Sequence, residues 1–259
     1  MSLSGKHALV TGAGRGIGAA IARALAREGA RVTLLGREPD ELATRASELR
    51  AEGTAVHVAV ADVSDEAAVR GAFVDAADAL GPVAVLVNNA GIARSRSLLK
   101  MERDFWDEIL AINLTGTYLC SRAAAAGMLE AGWGRIVNVA SVAGLTGGKY
   151  VSAYCASKHG VIGLTRALAI EFAGSGITVN AVCPGFVETA MFDDALAKVS
   201  ALTGRDPEVA RADVLAQSLQ LRLIAPEEVA AAALWFCGDG AAAITGQALP
   251  IEASGTVHE

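Results

Sequence analysis

The sequence has few of the residues that build metal sites or disulfide frameworks. Its four cysteines include no C-x-x-C pair, and its four histidines fall at unrelated places along the chain. Closely spaced Cys and His residues are the usual signature of a structural zinc site or of a disulfide-linked fold. We therefore expect neither kind of site, and no metal is assigned.

Positive charge and long apolar runs are scarce as well. The formal net charge is -6, which disfavours a nucleic-acid partner because such a partner needs a cationic surface. A local pocket for one anionic cofactor is still compatible with that charge. No stretch approaches the ~18 consecutive apolar residues of a membrane span. The first ten residues, MSLSGKHALV, lack the pattern of a signal peptide, so we expect a cytoplasmic protein with no membrane partner.

Hydrophobic residues, by contrast, make up 53% of the 259 residues, enough for the core of one domain spanning residues 1–259. Short β-branched runs alternate with longer segments of helical period. The predicted strands are His7–Thr11, Arg31–Gly36, Val56–Val60, Val83–Asn88, Arg135–Ser141, Ile177–Val182 and Ile244–Ile251. The predicted helices are Gly16–Glu28, Glu38–Glu52, Asp65–Leu80, Glu102–Leu129, Ser152–Ala173 and Pro226–Cys237. This alternation predicts an α/β fold with a doubly wound, seven-stranded parallel sheet and helices on both faces.

Residues 186–225 interrupt the alternation between the sixth strand and the last helix. Short helices are expected within this segment, and long excursions from a compact domain are often functional. We therefore predict a substrate lid at 186–225. Its apolar residues Phe186, Met191, Phe192 and Leu196 could cover a substrate, or they could serve ordinary amphipathic packing.

A glycine-rich string, TGAGRGIG, occupies residues 11–18 between the first predicted strand and the first predicted helix. A strand before and a helix after are the setting in which such a string binds a dinucleotide. Without side chains, the backbone can turn tightly and approach a pyrophosphate at the helix N-terminus. A plain tight turn is the alternative. The candidate cofactor-binding residues are Gly12, Gly14, Arg15, Gly16, Ile17 and Gly18.

The end of the second predicted strand bears on which dinucleotide binds. NAD-binding proteins usually place an acidic residue there, about 20 positions after the glycines, to hold the ribose 2′-hydroxyl. Gly36 occupies that place in this chain, and Arg37 follows it. Arg15 and Arg37 could converge on a 2′-phosphate through charge-assisted hydrogen bonds. NADP(H) is therefore favoured, and NAD(H) stays open if both arginines are only solvated.

A candidate catalytic pair lies in the fifth predicted helix. Tyr154 and Lys158 are four residues apart, so their side chains share one helix face. A neighbouring ammonium stabilises a phenolate and is expected to lower the pKa of the tyrosine from its usual ~10. Such a tyrosine can take a proton from an alcohol or give one to a carbonyl oxygen. Ser141, at the end of the fifth predicted strand, could hydrogen-bond the same oxygen.

These motifs, taken together, resemble those of the short-chain dehydrogenase/reductase family over essentially the whole chain. They occur in family order as TGAGRGIG at 11–18, Asp62, NNAG at 88–91, Asn113, Ser141, YCASK at 154–158, and PG at 184–185 with Thr189. The resemblance implies a Rossmann-type fold and an oxidoreductase that interconverts a ketone and a secondary alcohol. It also implies that Asn113, Ser141, Tyr154 and Lys158 form the catalytic set, with Asn113 kinking its helix and linking Lys158 to solvent through water.

The same resemblance implies further contacts to the cofactor. Asp62 is expected at the adenine, the NNAG residues beside the cofactor, and Val187 and Thr189 at the carboxamide. These cofactor-binding candidates are Asp62, Val63, Asn89, Ala90, Gly91, Tyr154, Lys158, Pro184, Gly185, Val187 and Thr189. Taken singly, Asp62 could cap a helix, and the NNAG and Pro-Gly sequences could be simple turns.

The strings NNAGIARSRSLL and GRIVNVASVAG are most similar to those of 3-oxoacyl thioester reductases and 3-hydroxyacyl-CoA dehydrogenases. The long lid also resembles that of polyketide ketoreductases and 3-hydroxybutyrate dehydrogenases. Gly132 and Ser175 stand where carrier-protein reductases have basic residues, which disfavours carrier docking. Ala93 and Ala143 stand where hydroxybutyrate enzymes hold a carboxylate with polar side chains. A CoA thioester is therefore expected, with a bulky neutral or polyketide-type ketone as the alternative.

Three basic residues are candidates for an anionic handle at the pocket mouth, namely Arg94, Arg96 and Lys149, although such charges can equally be solvated. A noncatalytic dinucleotide-binding subunit is a further alternative, because function depends on the site rather than on the fold. The intact set of Ser141, Tyr154 and Lys158 argues against it. The resemblance also implies a homotetramer that pairs through the segments Glu102–Leu129 and Ser152–Ala173.

Overall fold

The computed structural model describes residues 3–204, 206–217 and 220–253. Within these ranges the strands are β1 His7–Thr11, β2 Arg31–Gly36, β3 Val56–Val60, β4 Val85–Asn88, β5 Gly134–Val139, β6 Ile177–Pro184 and β7 Ala248–Ile251. The α-helices are α1 Gly16–Arg27, α2 Pro39–Ala51, α3 Glu66–Leu80, α4 Arg103–Leu110, α5 Gly116–Ala131, α6 Ser152–Glu171, α7 Ala190–Thr203, α8 Pro207–Gln217 and α9 Pro226–Cys237. The predicted single domain at 1–259 and the predicted lid at 186–225 include residues that lie outside the described ranges.

All seven strands pair in parallel in the order β3-β2-β1-β4-β5-β6-β7. The order reverses between β1 and β4, which is the point where ligands bind in doubly wound sheets. The doubly wound, seven-stranded parallel sheet predicted from the sequence is confirmed. None of the described helices is long and apolar enough to cross a membrane.

The core forms on both faces of the sheet because helices cover each face. Every residue of β1, β4, β5 and β6 is buried, as expected for the central strands of a parallel sheet. Leu9 and Val10 are neighbours in β1 and point to opposite faces. Leu9 packs in a cluster with Phe73 and Met128, and Val10 packs in another with Ile21.

The predicted long helix Glu102–Leu129 is wrong as a single element. The chain forms α4, then a π-helical stretch over Ala111–Thr115, then α5. Asn113 lies in the middle of that stretch and hydrogen-bonds the backbone of Ile92, a contact that local helical period does not reveal. Wide turns of this kind interrupt helices mostly at functional sites.

The boundaries of four predicted strands also differ from the structure, including β6, which ends at Pro184 rather than Val182. β4 begins at Val85 rather than Val83, and β5 ends at Val139, so Ser141 lies in the segment that follows the strand. β7 begins at Ala248 rather than Ile244. Residues before β7 form turns, and Gly246 has a φ of 75° while its N–H donates to the carbonyl of Val179.

Two helices, α7 and α8, form within the segment predicted as a lid. The described ends of the segment are tied together by hydrogen bonds from the N–H of Ile224 to the carbonyl of Phe186 and from the N–H of Glu188 to the carbonyl of Ile224. The rings of Phe186 and Phe192 pack with their centroids 5.5 Å apart. The two ends of this segment are therefore hydrogen-bonded to each other.

Candidate active site

The candidate site residues gather where the carboxyl ends of four neighbouring strands meet. The glycine-rich loop follows β1, the NNAG residues end β4 and follow it, Ser141 follows β5, and Gly185 follows β6. The sheet order reverses between β1 and β4, and in doubly wound sheets ligands bind outside the carboxyl ends of the strands at such a reversal. The structure thus brings together residues that lie more than 170 positions apart in the sequence.

The glycine-rich loop has a shape that side chains would destroy. Gly12 and Gly16 have φ values of 63° and 54°, in the left-handed region that favours glycine. A Cβ on Gly18 would lie 2.2 Å from the carbonyl oxygen of Gly12. Ile17 is half-buried and packs against the core at the start of α1. The bare backbone turn in front of a helix N-terminus fits a dinucleotide pyrophosphate.

The glycine-rich loop is tied to the end of β4. The hydroxyl of Thr11 accepts hydrogen bonds from the N–H groups of Asn89 and Ala90, both at 2.9 Å. The side-chain amide of Asn89 donates to the carbonyls of Thr11 and Gly12 at 2.9 and 3.1 Å. These four bonds hold the two loops that would flank a cofactor in one arrangement. Thr11 was not among the sequence-based candidates, although it opens the TGAGRGIG string.

Both arginines assigned to a 2′-phosphate lie near carboxylates. The guanidinium of Arg37 lies 3.6 Å from Asp62, and that of Arg15 lies 3.4 Å from Glu41. Burial pushes the pKa of Asp62 upward, but hydrogen bonds from Ser64 and the Arg37 charge outweigh it, so the pKa is lower than usual. Glu41 is a residue that sequence reasoning missed, because its proximity depends on how α2 packs.

Asp62 does not cap the helix that follows it. Asp65 does so, since its carboxylate accepts hydrogen bonds from the N–H groups of Ala67 and Ala68. Asp62 instead accepts from the N–H and hydroxyl of Ser64. Its side chain is therefore held at the carboxyl end of the sheet, next to Arg37.

The segment after β6 meets the glycine-rich loop. A Cβ on Gly16 would lie 3.2 Å from the Thr189 methyl, which places the candidate carboxamide contact directly beside the loop. The hydroxyl of Thr189 donates to the carbonyl of Val187 at 3.3 Å. Pro184 is the last residue of β6, and Gly185 follows it.

Gln220 is a second residue that sequence reasoning missed in this region. It is 4% exposed, and its side-chain oxygen accepts a hydrogen bond from the N–H of Phe186 at 2.7 Å. A Cβ on Gly185 would lie 2.5 Å from the same oxygen. Because Gln220 stands 34 positions from Phe186, no local pattern points to this contact. It fixes the turn that carries Val187 and Thr189.

The candidate catalytic residues converge beside this turn. Tyr154 and Lys158 both lie in the first two turns of α6, and the Lys158 nitrogen is 5.8 Å from the centroid of the Tyr154 ring. The Lys158 ammonium donates to the carbonyl of Val139 at 2.8 Å. The Ser141 hydroxyl donates to the carbonyl of Pro184 at 3.4 Å and accepts from the N–H of Ala143.

Burial dominates the acid–base properties of this pair. It lowers the pKa of Lys158 to about 8, because the 5% exposed side chain carries its charge inside the protein. It also raises the pKa of the Tyr154 phenol, while a hydrogen bond with Ser141 lowers it by less. The expectation of a lowered tyrosine pKa is therefore wrong for the chain by itself, since burial outweighs the effect of its neighbours.

Asn113 joins α6 to the loop after β4. Its side-chain oxygen accepts from the N–H of Ile92 at 2.8 Å, and its amide donates to the carbonyl of Ile92 and the hydroxyl of Ser157. A Cβ on Gly91 would lie 3.2 Å from the Asn113 oxygen and 3.5 Å from the Lys158 nitrogen. The helix kink expected at Asn113 therefore coincides with a close three-way packing of loop, helix and lysine.

The three candidates for an anionic handle are already engaged in contacts. Arg94 forms a bidentate pair with Glu108, with distances of 2.6 and 2.8 Å. Arg96 lies over the ring of Phe105 and Lys149 over that of Tyr150, each with 5.0 Å to the centroid. Any anionic group would have to compete with these contacts.

Tyr150 adopts an unusual backbone conformation in the loop before α6. Its φ is 67°, and it is the one non-glycine residue with positive φ in the described ranges. Its carbonyl accepts a hydrogen bond of 2.7 Å from the N–H of Arg96. This bond joins the loop after β4 to the loop before α6. Strain of this kind persists where surrounding contacts hold it, and it clusters near functional sites.

The described residues meet neither the requirements of a metal site nor those of a reactive thiol. They contain no group of three or more His, Cys, Asp or Glu side chains arranged to hold a metal ion. All four cysteines are free and buried, and burial raises the pKa of Cys183 beside the site to about 11. A thiol with a raised pKa is a poor nucleophile.

Known proteins share this arrangement over nearly the whole chain. A family model described as short chain dehydrogenase matches residues 6–200. The chain is 42% identical over 247 residues to granaticin polyketide synthase putative ketoacyl reductase 1 of Streptomyces violaceoruber, covering 94% of this chain and 90% of that protein. It is 41% identical over 251 residues to a 3-oxoacyl-(acyl-carrier-protein) reductase of Pseudomonas aeruginosa, covering 97% of each.

A solved structure has the same fold. The crystal structure of an actinorhodin polyketide ketoreductase variant with NADPH aligns with a TM-score of 0.92 at 39% identity, covering 99% of this chain and 100% of that chain. The seven-stranded parallel sheet with helices on both faces agrees with this structural similarity. The protein belongs to the short-chain dehydrogenase/reductase family of oxidoreductases, enzymes that act on CH–OH groups.

Proposed function

We propose that this protein is an NAD(P)H-dependent reductase of a 3-oxoacyl thioester, of the 3-ketoacyl reductase or 3-hydroxyacyl-CoA dehydrogenase type. The observation that carries the proposal is the convergence of Ser141, Tyr154 and Lys158 at the carboxyl ends of β5 and β6, beside the glycine-rich loop. Tyr154 can donate a proton, Ser141 can donate a hydrogen bond, and Lys158 is a buried cation. Together they suit a site where a carbonyl oxygen is converted into a hydroxyl group.

Each of the three residues has a distinct part in this reaction. In reduction, the Tyr154 hydroxyl donates its proton to the carbonyl oxygen, and in oxidation the phenolate takes it back. The Ser141 hydroxyl is free to turn to that oxygen, because its present bond to Pro184 is long at 3.4 Å. The positive charge of Lys158 stabilises the Tyr154 phenolate. A bound nicotinamide supplies or accepts the hydride at carbon.

Asn113 and Gln220 are positioning residues in this scheme. Asn113 fixes α6 against the loop after β4 through Ser157 and Ile92, and so sets the depth of Lys158. Gln220 holds the turn that carries Val187 and Thr189 through the N–H of Phe186. Both act at a distance from the reacting oxygen.

We propose NADP(H) as the favoured cofactor, with NAD(H) as the alternative. Arg15 and Arg37 supply two guanidinium groups at the place where a 2′-phosphate would lie, and Gly36 leaves the acidic position at the end of β2 empty. The cofactor-binding candidates in the glycine-rich loop, the NNAG sequence and the turn after β6 all lie at the carboxyl ends of neighbouring strands. The similarity to a ketoreductase structure that contains NADPH supports this preference.

The substrate class rests on the relatives and on the pocket mouth. Similarity to a 3-oxoacyl reductase supports a thioester, while similarity to two polyketide ketoreductases supports a bulky ketone as the second candidate. Ala93 and Ala143 offer no polar group to a free carboxylate. The segment 186–225, with the paired rings of Phe186 and Phe192 at its base, is proposed as the substrate lid.

We also propose a cytoplasmic homotetramer. Ile170 on α6 and Tyr118 on α5 are 79% and 43% exposed in the single chain, and these are the helices through which pairing is expected. Size-exclusion chromatography with light scattering should give about four times the mass of one chain. A monomer would contradict the assembly and leave the proposed chemistry untouched.

The substrate is tested by following oxidation of NADPH and of NADH, side by side, with acetoacetyl-CoA and with a bicyclic ketone such as decalone. We expect turnover of the thioester with NADPH. Turnover of decalone but not of acetoacetyl-CoA would favour the hypothesis that the substrate is a bulky ketone. No turnover with any of the four combinations of cofactor and substrate would favour a noncatalytic dinucleotide-binding subunit.

A further inference from the structure

We propose that Glu41 determines cofactor specificity by holding down the affinity for a dinucleotide that carries a 2′-phosphate. The inference rests on the proposed dinucleotide function and names a residue of that site that no sequence motif contains. Its consequence is that the wild-type chain also accepts NADH, and that removal of the Glu41 carboxylate strengthens the preference for NADPH.

Glu41 lies against the glycine-rich loop. It occupies the first turn of α2, which begins at Pro39. A Cβ on Gly14 would lie 2.9 Å from the Glu41 Cβ and 2.9 Å from one of its carboxylate oxygens. The other carboxylate oxygen is 3.4 Å from a guanidinium nitrogen of Arg15. The carboxylate therefore sits between the loop backbone and one of the two arginines assigned to the phosphate.

The second arginine is also paired, since Arg37 lies 3.6 Å from Asp62. A 2′-phosphate must therefore draw both cations away from carboxylates before it gains their charge. The two carboxylates differ in one respect: Asp62 is held by two hydrogen bonds from Ser64, one of them at 2.7 Å from the hydroxyl. Glu41 has no comparable hydrogen bond in the described residues, so its carboxylate loses its ion-pair partner when Arg15 turns to a phosphate.

The pair of Arg15 and Glu41 adds little to folding stability. Their side chains are 69% and 38% exposed, and ion pairs at that exposure contribute little. The pair can open without disturbing the fold. A 2′-phosphate held by Arg15 would bring two negative charges toward the Glu41 carboxylate, and salt would screen their repulsion only in part. Glu41 thus affects ligand choice more than stability.

Asp40 provides a matched control. It is an exposed acidic residue in the same first turn of α2, so its removal costs the same favourable interaction with the helix N-terminus. Glu41 provides the three heavy atoms nearest to a Cβ on Gly14 and pairs with Arg15, whereas Asp40 forms no ion pair with Arg15 in the described residues. A comparison of Glu41→Gln with Asp40→Asn separates the local contact from a general change in charge.

The experiment measures binding by calorimetry for the wild type and both variants, with NADPH, NADH, 2′,5′-ADP and 5′-AMP as probes. We expect Glu41→Gln to bind NADPH and 2′,5′-ADP about five- to tenfold more tightly, with less than a twofold change for NADH and 5′-AMP. Asp40→Asn should change all four affinities by less than twofold. In an Arg15→Gln background, the gain from Glu41→Gln should fall by half or more, because the released cation is then missing.

Three results would overturn the proposal. They are an unchanged NADPH affinity in Glu41→Gln, an equal gain for NADH, and an equal effect of Asp40→Asn. A wild type that binds both dinucleotides but turns over no ketone would refute the proposed reaction while the binding test of Glu41 still stands. The two failures are therefore distinguishable.

Discussion

The ammonium nitrogen of Lys158 lies 5.8 Å from the centroid of the Tyr154 ring and donates a hydrogen bond of 2.8 Å to the carbonyl of Val139. The last residue of β5 thus holds the cation at a set position relative to the tyrosine one turn earlier. Because the lysine is buried, the protein pays for this arrangement in stability, and the pKa of Lys158 falls to about 8.

That cost predicts a more stable but inactive Lys158→Met variant. Below pH 8 the lysine is charged in both folded and unfolded states, and only the folded state buries the charge. We expect the free energy of unfolding at pH 7 to rise by about 1 to 2 kcal/mol, less than the full cost of the pKa shift because the Val139 carbonyl loses its partner. Between pH 8 and 10.5 the wild type loses the proton first in the folded state and gains stability, so the advantage of the variant should shrink. Urea unfolding at pH 7 and pH 10 measures both effects, and a variant that is less stable at pH 7 would contradict this reasoning.

His7 predicts a loss of stability in mild acid. His7 is 1% exposed, and its two ring nitrogens contact the carbonyl of Gly81 at 2.6 Å and the hydroxyl of Thr33 at 2.8 Å. Burial lowers the pKa of His7 from 6.5 to about 4. The unfolded state therefore takes up a proton first as the pH falls from 6.5 toward 4. We expect up to about 3 kcal/mol of stability to be lost over this range.

The control for His7 is His7→Gln, which keeps a donor and an acceptor but does not titrate. Urea unfolding at pH 7 and pH 4.5 should show a smaller pH effect in this variant than in the wild type. Equal pH effects in the two proteins would assign the acid sensitivity to other groups.

Gly18→Ala should damage both the fold and the cofactor crevice. The added methyl would lie 2.2 Å from the carbonyl oxygen of Gly12, so the glycine-rich loop must move. We expect a loss of about 2 kcal/mol or more in unfolding free energy and at least a tenfold loss in dinucleotide affinity. Gly71→Ala is the matched control, because Gly71 lies in α3 and, apart from its chain neighbours and the backbone of its own helix, no heavy atom lies within 4 Å of the added carbon. That variant should be neutral or more stable by up to about 1 kcal/mol, and similar damage in both variants would argue against a specific role for the loop.

Arg37→Asp should reverse the cofactor preference. The change removes a cation from the 2′-phosphate region and places a carboxylate near the end of β2, where it suits a ribose 2′-hydroxyl. We expect at least a tenfold loss in NADPH affinity, with NADH bound as well as before or more tightly. Arg27→Asp, on α1 beside Glu52, is the matched charge reversal and should leave both affinities within twofold. An unchanged NADPH affinity in Arg37→Asp would refute the role of Arg37.

Local pattern was enough to predict the alternating elements, the parallel sheet and the helix face shared by Tyr154 and Lys158. Each of these depends on residues close together in sequence. The interruption of the long helix was not predictable in this way, because the π-helical stretch at Asn113 depends on a contact with Ile92.

The same reason explains the site residues that were missed. Gln220 meets Phe186 across 34 positions, and Glu41 meets Gly14 only because α2 packs against the loop. The raised pKa of Tyr154 also depends on burial in the folded chain, which spacing alone does not measure. Contacts between distant segments, rather than element types, are what the structure adds.

The most direct measurement is ketone reduction by Tyr154→Phe, made together with NADPH binding in the same preparation. Phenylalanine keeps the ring but has no hydroxyl to give a proton, so we expect turnover to fall by at least a factor of about 10² while NADPH affinity stays within twofold of the wild type. Turnover close to the wild-type rate would contradict the assignment of Tyr154 as the proton donor and with it the proposed mechanism.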